Sequence, residues 1–187
     1  EIFKLEPGHF LSLQKNRLKQ KDIKIKPYWQ LKNVVNSGIA NLIKTEAEAI
    51  KALKNTLIES VSMQSVADVP LGAFLSGGID SSLIAALMPE QSSRPIETFT
   101  VGFDEVGFDE SIYASAVAKH LGTNHHELRV TPDDARAVIP QLHELYDEPF
   151  ADSSQIPTYL ICQAARQKVT VAISGDAGDE LFGGYNR

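Results

Sequence analysis

Two stretches of the chain hold residue types and spacings that could do chemistry. Ser76-Gly77-Gly78-Ile79-Asp80-Ser81-Ser82 follows an apolar run and opens a helical one. Adjacent glycines let a backbone approach a ligand and aim successive amides at it, a helix start adds partial positive charge, and Ser81 and Ser82 add hydroxyl donors. Such a nest suits a pyrophosphate. The plain alternative is a tight turn at Gly77 and Gly78 with Asp80 as a helix cap. A Walker-type kinase and a dinucleotide oxidoreductase lose ground, because the sequence contains no Gly-Lys pair and no G-x-G-x-x-G after a strand.

The second stretch is Ser174-Gly175-Asp176-Ala177-Gly178-Asp179-Glu180-Leu181-Phe182-Gly183-Gly184-Tyr185, with three carboxylates inside five residues. Anions packed this closely need a cation or a proton, and hard oxygen ligands suit Mg²⁺ held together with substrate phosphates. A solvated acidic turn is the alternative, and the flanking glycines make it an oddly bare one.

Both stretches must be positioned by the elements around them. Thr45-Glu46-Ala47-Glu48 is a capping box, and Ile50, Leu53, Leu57, Ile58 and Val61 continue it at helical spacing. Strands are predicted over residues 69–75, 97–101, 127–130 and 169–173. Helices are predicted over 81–88, over 110–121 with Gly122 as a left-handed cap, from Thr131-Pro132-Asp133-Asp134 through to Tyr146, and over 156–167. Strands alternating with helices imply right-handed parallel crossovers, hence an α/β fold: an open, doubly wound parallel sheet with helices on both faces. Ligands of such sheets sit beyond the carboxyl ends of the strands, where both chemical stretches fall. Ahead of this lies a short β appendage, residues 2–5 and 9–13 about the turn Glu6-Pro7-Gly8.

The 187 residues are 43% apolar with a formal charge of −6, an ordinary globular composition that excludes disorder and a disulfide scaffold. The single cysteine, Cys162, is expected as a small buried residue in a reducing compartment. Neither a membrane span nor a signal peptide is expected, and a cytoplasmic location follows. Residues 1–30 carry seven basic and three acidic side chains and everything after them −10, which places a boundary near residues 30–45. The basic stretch from Lys15 to Lys26 lacks aromatics to stack on bases, so it reads as a solvated hairpin or linker and not as a nucleic-acid surface. His125 and His126 are adjacent on a strand and face opposite sides, which suits structural roles better than one shared ion. Trp29 and Tyr28 are expected to pack between domains.

The two loops together resemble the synthetase domain of the glutamine-dependent asparagine synthetases, a branch of the ATP pyrophosphatase (PP-loop) family marked by S-G-G-[IL]-D-S, whose fold is the adenine nucleotide alpha hydrolase type. Phe99-Thr100-Val101-Gly102-Phe103, Asp109-Glu110-Ser111, His120-Leu121-Gly122-Thr123, His125-His126-Glu127 and Glu148-Pro149-Phe150-Ala151-Asp152-Ser153-Ser154 extend the resemblance over most of the chain. It implies residues 1–40 as the end of a glutaminase-type domain plus connector, and 41–187 as the ATP pyrophosphatase domain, cut at its carboxyl end. The family's amino-terminal nucleophilic cysteine is not in this chain. The implied reaction adenylates the side-chain carboxylate of aspartate with ATP, releases pyrophosphate, and lets ammonia, drawn from glutamine, displace AMP to give asparagine.

Residue by residue, the resemblance implies Asp80 and Asp179 as magnesium carboxylates and Ser76, Gly77, Gly78, Ser81 and Ser82 as the pyrophosphate loop. It places Val101 and Gly102 at the adenine with Phe74 nearby, and makes Ser174 and Gly175 further nucleotide contacts. Asp176 and Asp179 are the implied catalytic acids. Apart from the resemblance, Asp147, Glu148 and Asp152 around Pro149 either contact the amino-acid substrate or only cap the next helix. No nucleic acid or membrane partner is implied; a homodimer through the glutaminase domain is. Two rival readings keep the same loops: another PP-loop amidotransferase or a β-lactam synthetase acting on a different carboxylate, and a nucleotide-binding domain without catalysis.

Overall fold

Apolar runs separated by helical ones can bury both faces of a sheet only when the strands run parallel beneath two helical layers. The computed structural model has this arrangement; it describes residues 3–13, 24–88, 95–103, 109–149 and 151–185. The chain divides into two compact units, Glu1–Ala52 and Leu53–Arg187.

In the first unit, β1 (His9–Ser12) pairs antiparallel with β2 (Lys24–Pro27), His9 opposite Pro27, and α1 (Leu31–Ala40) follows. The expected partner of β1, residues 2–5, is not a strand at 3–5, and residue 2 lies outside the described residues. The Gly8 carbonyl is taken instead by the Tyr28 and Trp29 amides, at 2.8 and 3.1 Å, so the later segment fills the pairing edge. Lys24 and Lys26 therefore sit on an exposed strand, while residues 14–23 of the basic stretch lie outside the described residues. Helix α1 was not anticipated: Asn33, Asn36, Ser37 and Gly38 dilute its apolar pattern, and it buries no residue.

Helix α2 (Glu46–Gln64) starts at the predicted capping box, with the Glu48 amide donating to Thr45 Oγ1 at 3.3 Å and the Thr45 hydroxyl donating to Glu48 at 2.9 Å. Of its expected apolar face only Val61 is buried, with Leu57 and Ile58 partly so. The sheet follows as β3 (Leu71–Phe74), β4 (Glu97–Phe103), β5 (Asn124–Val130) and β6 (Val171–Ile173), all parallel, in the order β5-β4-β3-β6. Helices α3 (Ile79–Leu87) and α4 (Ser111–Leu121) cover one face through Leu75, Ala85, Ala114 and Ala118. On the other, α5 (Pro132–Val138) and α7 (Gln155–Ala165) close over Val130, Val138 and Leu160 and over Phe99, Ala165 and Val169. The fold is thus the expected open α/β sheet with helices on both faces.

The helix predicted from Pro132 to Tyr146 is interrupted. Its Thr131–Asp134 capping box forms, but Pro140 lacks an amide and forces a 3₁₀ turn, Ile139–Gln141, before the single turn α6 (Leu142–Leu145). Cys162 is exposed and not buried as expected: it lies nearly opposite the buried Leu160 on α7. The last helix, α8 (Gly178–Phe182), follows β6.

At the amino ends of the strands, side chains of β4 and β5 knit the sheet edge together. His126 Nε2 donates to Glu97 at 2.5 Å and its ring stacks on Phe99, while Asn124 donates to the other Glu97 oxygen at 2.8 Å. His125 faces the opposite side and shares a 3.0 Å hydrogen bond with Thr98, which meets Thr123 at 2.8 Å. Both histidines thus hold structural bonds on opposite faces. Burial lowers the His125 imidazolium below its ordinary value of 6.5. Burial alone would raise Glu97, but bonds from Asn124 and His126 and the charges of His126 and Lys168 hold it below 4.5. Both groups bind protons more tightly in the unfolded chain, so stability should be complete above about pH 6.5 and decline on acidification, with a further loss below about pH 4.5. Urea melts from pH 7.5 to 4 should show both phases, and His125→Gln should flatten the upper one.

Candidate functional site

Parallel neighbours deliver their following loops to the same edge of a sheet. Because β3 pairs with β6, Ala73 opposite Ile173, the turn after Phe74 and the turn after Ile173 emerge side by side. The contact between them is tighter than a side chain would allow. A Cβ added at Gly175 would lie 2.7 Å from the Ser81 amide nitrogen, and one added at Gly178 would strike the Asp80 carboxylate. Both glycines are therefore required by the neighbouring loop, a reason that sequence inspection alone had not supplied.

The first loop is held from within by its serines. The Ser76 amide donates to Ser81 Oγ at 3.1 Å, the two hydroxyls meet at 2.8 Å, and the Gly78 amide reaches Ser76 Oγ at 3.2 Å. Gly77 takes φ +81°, and a Cβ there would press within 2.6 Å of Ala114 N and Tyr113 Cβ, so the loop lies flat against the first turn of α4. Gly78 is the N-cap of α3, and no side chain caps that helix. Its first-turn amides have no intrahelical acceptor, and that of Ser81 lies against Gly175 of the second loop.

Ser82 carries a further signal. Its hydroxyl is shut off from solvent and has no hydrogen-bond partner among the described residues. A desolvated hydroxyl left unpaired costs about 1–3 kcal/mol, and His125 Nε2 at the other end of the sheet is a second such atom. An uncapped helix start and bare glycine backbone together fit an anionic phosphate group.

In the second loop, Ala177 takes φ +73°, the one non-glycine residue with positive φ among the described residues. A β-carbon in that region costs on the order of 1 kcal/mol. This strain turns the chain sharply between Asp176 and Asp179. The Asp176 amide donates weakly to Ser174 Oγ at 3.4 Å, and the Asp179 carboxylate lies against Gly184, where a Cβ would collide with it. Asp176 is exposed, while Asp80 and Asp179 are partly buried. Asp80 touches the backbone of Gly178, the residue before Asp179, so both carboxylates stand at the edge where the loops meet. Two carboxylates at one edge suit Mg²⁺, which rarely takes an all-protein shell and is completed by water and phosphate oxygens.

The other expected residues border this edge. Phe74 packs with Phe99 and Ile161 beneath α7, and Val101 joins the cluster under α5 and α7, so both are walls more than open ligand groups. Gly102 faces the α4 side, where a Cβ would come within 3.1 Å of Ser111 Oγ. Sequence reading missed one member of this neighbourhood, Arg129, whose guanidinium donates to Asp109 at 2.9 Å and to Ser111 at 3.2 Å. Its position on β5 directly opposite Gly102 was the available signal. Hydrogen bonds from Ser111 and Arg129 hold the Asp109 carboxyl below its usual range against the opposing effect of burial. A separate cavity of about 1150 Å³ lies at the far end of the strands, bounded by Pro70, Glu97, Asn124 and Lys168, and contains none of these residues.

The asparagine synthase family matches residues 52–187. Over 185 residues the chain is 34% identical to asparagine synthetase (glutamine-hydrolysing) 1 of Bacillus subtilis, covering 99% of this chain and 28% of that protein. It is 30% identical over 203 residues to the amidase chry2 of Gibberella zeae, covering 99% of this chain and 29% of that protein. The chain thus spans under a third of the length of these curated relatives. Among solved structures, the NMN synthetase of Francisella tularensis is similar in fold at a TM-score of 0.50 and 20% identity, over 72% of this chain and 58% of that one.

Substitutions at the junction of the loops should separate strain from contact. Gly178→Ala should lower stability by about 1–3 kcal/mol, because its methyl group meets Asp80. Ala177→Gly, which relieves a left-handed alanine, should raise it by about 0.5–1 kcal/mol. Urea denaturation of the two variants beside the parent chain measures both.

Proposed function

The chain belongs to the asparagine synthase family, and from that premise we propose that it is the nucleotide-binding, carboxylate-activating part of an ATP-dependent amide ligase. The single observation that carries this reading is the interlock of the two glycine-bearing loops, with Asp80 and Ser81 seated on Gly178 and Gly175. In the fullest form of the proposal the acceptor is aspartate and the nitrogen comes from glutamine or free ammonia.

Adenylation makes a poor leaving group into a good one. A carboxylate oxygen of aspartate attacks the α-phosphorus of ATP, the bond from that phosphorus to the bridging oxygen breaks, and pyrophosphate departs. Ammonia then attacks the acyl carbon, AMP leaves and the nitrogen gives up a proton. The residues between Ser76 and Ser82 would contribute by presenting the uncapped amides of the α3 start to the departing pyrophosphate, where negative charge grows as the bond breaks. Asp80 and Asp179 would hold Mg²⁺, which when bound supplies charge neutralisation to the phosphate oxygens. At the carboxyl end of β4, Val101 and Gly102 would offer the nucleoside their backbone, since the Val101 side chain packs under α5 and α7 and Arg129 lies across Gly102. Asp176, exposed beside Asp179, is free to orient the substrate carboxylate or the ammonia.

A second reading has an observation in its favour: the likeness to the Gibberella zeae amidase extends over 99% of the chain, so the acceptor carboxylate could differ while the loops stay the same.

With aspartate, an ammonium salt and ATP labelled at the α-phosphate, the full-length protein should release AMP and pyrophosphate in equal amounts. Appearance of ADP and phosphate would refute the mechanism. Asp80→Ala should lose magnesium-dependent pyrophosphate release by about 100-fold or more while its urea midpoint stays near that of the parent. Replacing aspartate by other amino-acid carboxylates in the same assay identifies the acceptor.

A further inference from the structure

The loop of residues 76–82 is seated on the first turn of α4, so whatever fixes that turn also fixes the loop. Gly77 is pressed against Tyr113 and Ala114 with no space for a methyl group. The start of α4 has no side-chain cap from its N-cap residue, Glu110. It is held from the side instead. Arg129, opposite Gly102 in the β4–β5 register, lays its guanidinium across that glycine, where a Cβ would sit 3.2 Å from Nε and Cζ.

From this position Arg129 donates to Asp109 Oδ2 at 2.9 Å, to Ser111 Oγ at 3.2 Å and to the Phe103 carbonyl at 3.4 Å, and its Nε pairs with Glu127 at 2.5 Å. The other oxygen of Asp109 accepts the Ser111 amide at 3.0 Å. One planar cation thus joins the end of β4 to the start of α4 through several directed bonds, which a lysine could not reproduce.

We propose that Arg129 is a positioning residue for the loop of residues 76–82, acting through Asp109, Ser111 and the first turn of α4. The proposal rests on the reading of that loop as a phosphate-binding element. Energetics favour a local role over a global one. Arg129 is 48% exposed, and ion pairs in that setting add little to stability. Helix α4 itself is secured by the burial of Ala114 and Ala118 against Leu75 and Ala85. Losing the guanidinium should leave the helix in place and loosen its first turn. A shift of a few tenths of an ångström there opens room beneath Gly77, and the amides no longer converge.

The test compares the full chain with Arg129→Met, Arg129→Lys and Asp109→Asn, using hydrogen exchange at the Gly77 and Gly78 amides and calorimetric titration with magnesium pyrophosphate. Arg129→Met should speed exchange at the two glycines and weaken pyrophosphate binding, each by about fivefold, with the exchange of β3 and β4 amides unchanged. Arg129→Lys should recover only part of either loss, and Arg129→Met combined with Asp109→Asn should cost less than the sum of the two. Unchanged exchange at Gly77 and Gly78, or acceleration spread evenly over the sheet, overturns the proposal. If Arg129→Met does not fold, Arg129→Lys decides, since parental exchange at both glycines in that variant is equally fatal. A parent chain that fails to bind pyrophosphate defeats the phosphate reading instead, and exchange at the glycines still decides the role of Arg129.

Discussion

Steric exclusion at two points governs this structure: nothing larger than hydrogen fits between the start of α3 and the turn after β6. Asp80 and Ser81 occupy the volume that side chains at positions 175 and 178 would need. The interlock brings a helix start, a set of open amides and two partly buried carboxylates into one small region. Each feature alone is common in α/β proteins. Their convergence requires adjacent parallel strands, β3 and β6, and glycines on the second loop at the two positions where the first loop arrives.

The two ends of the sheet contrast in their chemistry. At the amino ends, Glu97, Asn124, His126, Thr98 and His125 bond to one another, and His125 Nε2 is left buried without a partner among the described residues. At the carboxyl ends, the Ser82 hydroxyl is unpaired and Ala177 is held in a costly conformation. Each end thus has one buried unpaired atom, and what sets the carboxyl end apart is local strain, which clusters at functional edges. By this criterion the glycine-bearing edge is the better candidate for a ligand than the cavity beside Glu97.

Much of this was legible from residue order. The strand-to-helix alternation gave the sheet, and the glycine and acid clusters gave the loops, because those signals are local in sequence. What was lost depends on partners far along the chain. The pairing of β1 with β2 could not be read, since residues 3–5 looked as suitable as Lys24–Pro27 until the Gly8 carbonyl was committed to Tyr28 and Trp29. The continuous helix to Tyr146 failed at Pro140, a local signal that apolar periodicity on either side had masked. Cys162 was assigned inward from its apolar neighbours, but one residue on a helix is 100° of rotation, enough to turn it outward beside Ile161. Arg129 joins groups 18 to 26 residues away, and only strand register brings them together.

Register also acts as a ruler. In a sheet each residue advances the chain by about 3.3 Å and reverses the side it faces. A slip of β6 by a single position against β3 would carry the acidic turn past Asp80 and move Ile173 from the apolar layer it shares with Ala73 and Val61. The penalty for that misplacement is levied in the hydrophobic interior, away from any reacting atom. Ångström-scale alignment of the polar edge is thereby guaranteed by greasy side chains that never touch a ligand, and a core substitution at Ala73 or Ile173 is a change to the geometry of the chemistry.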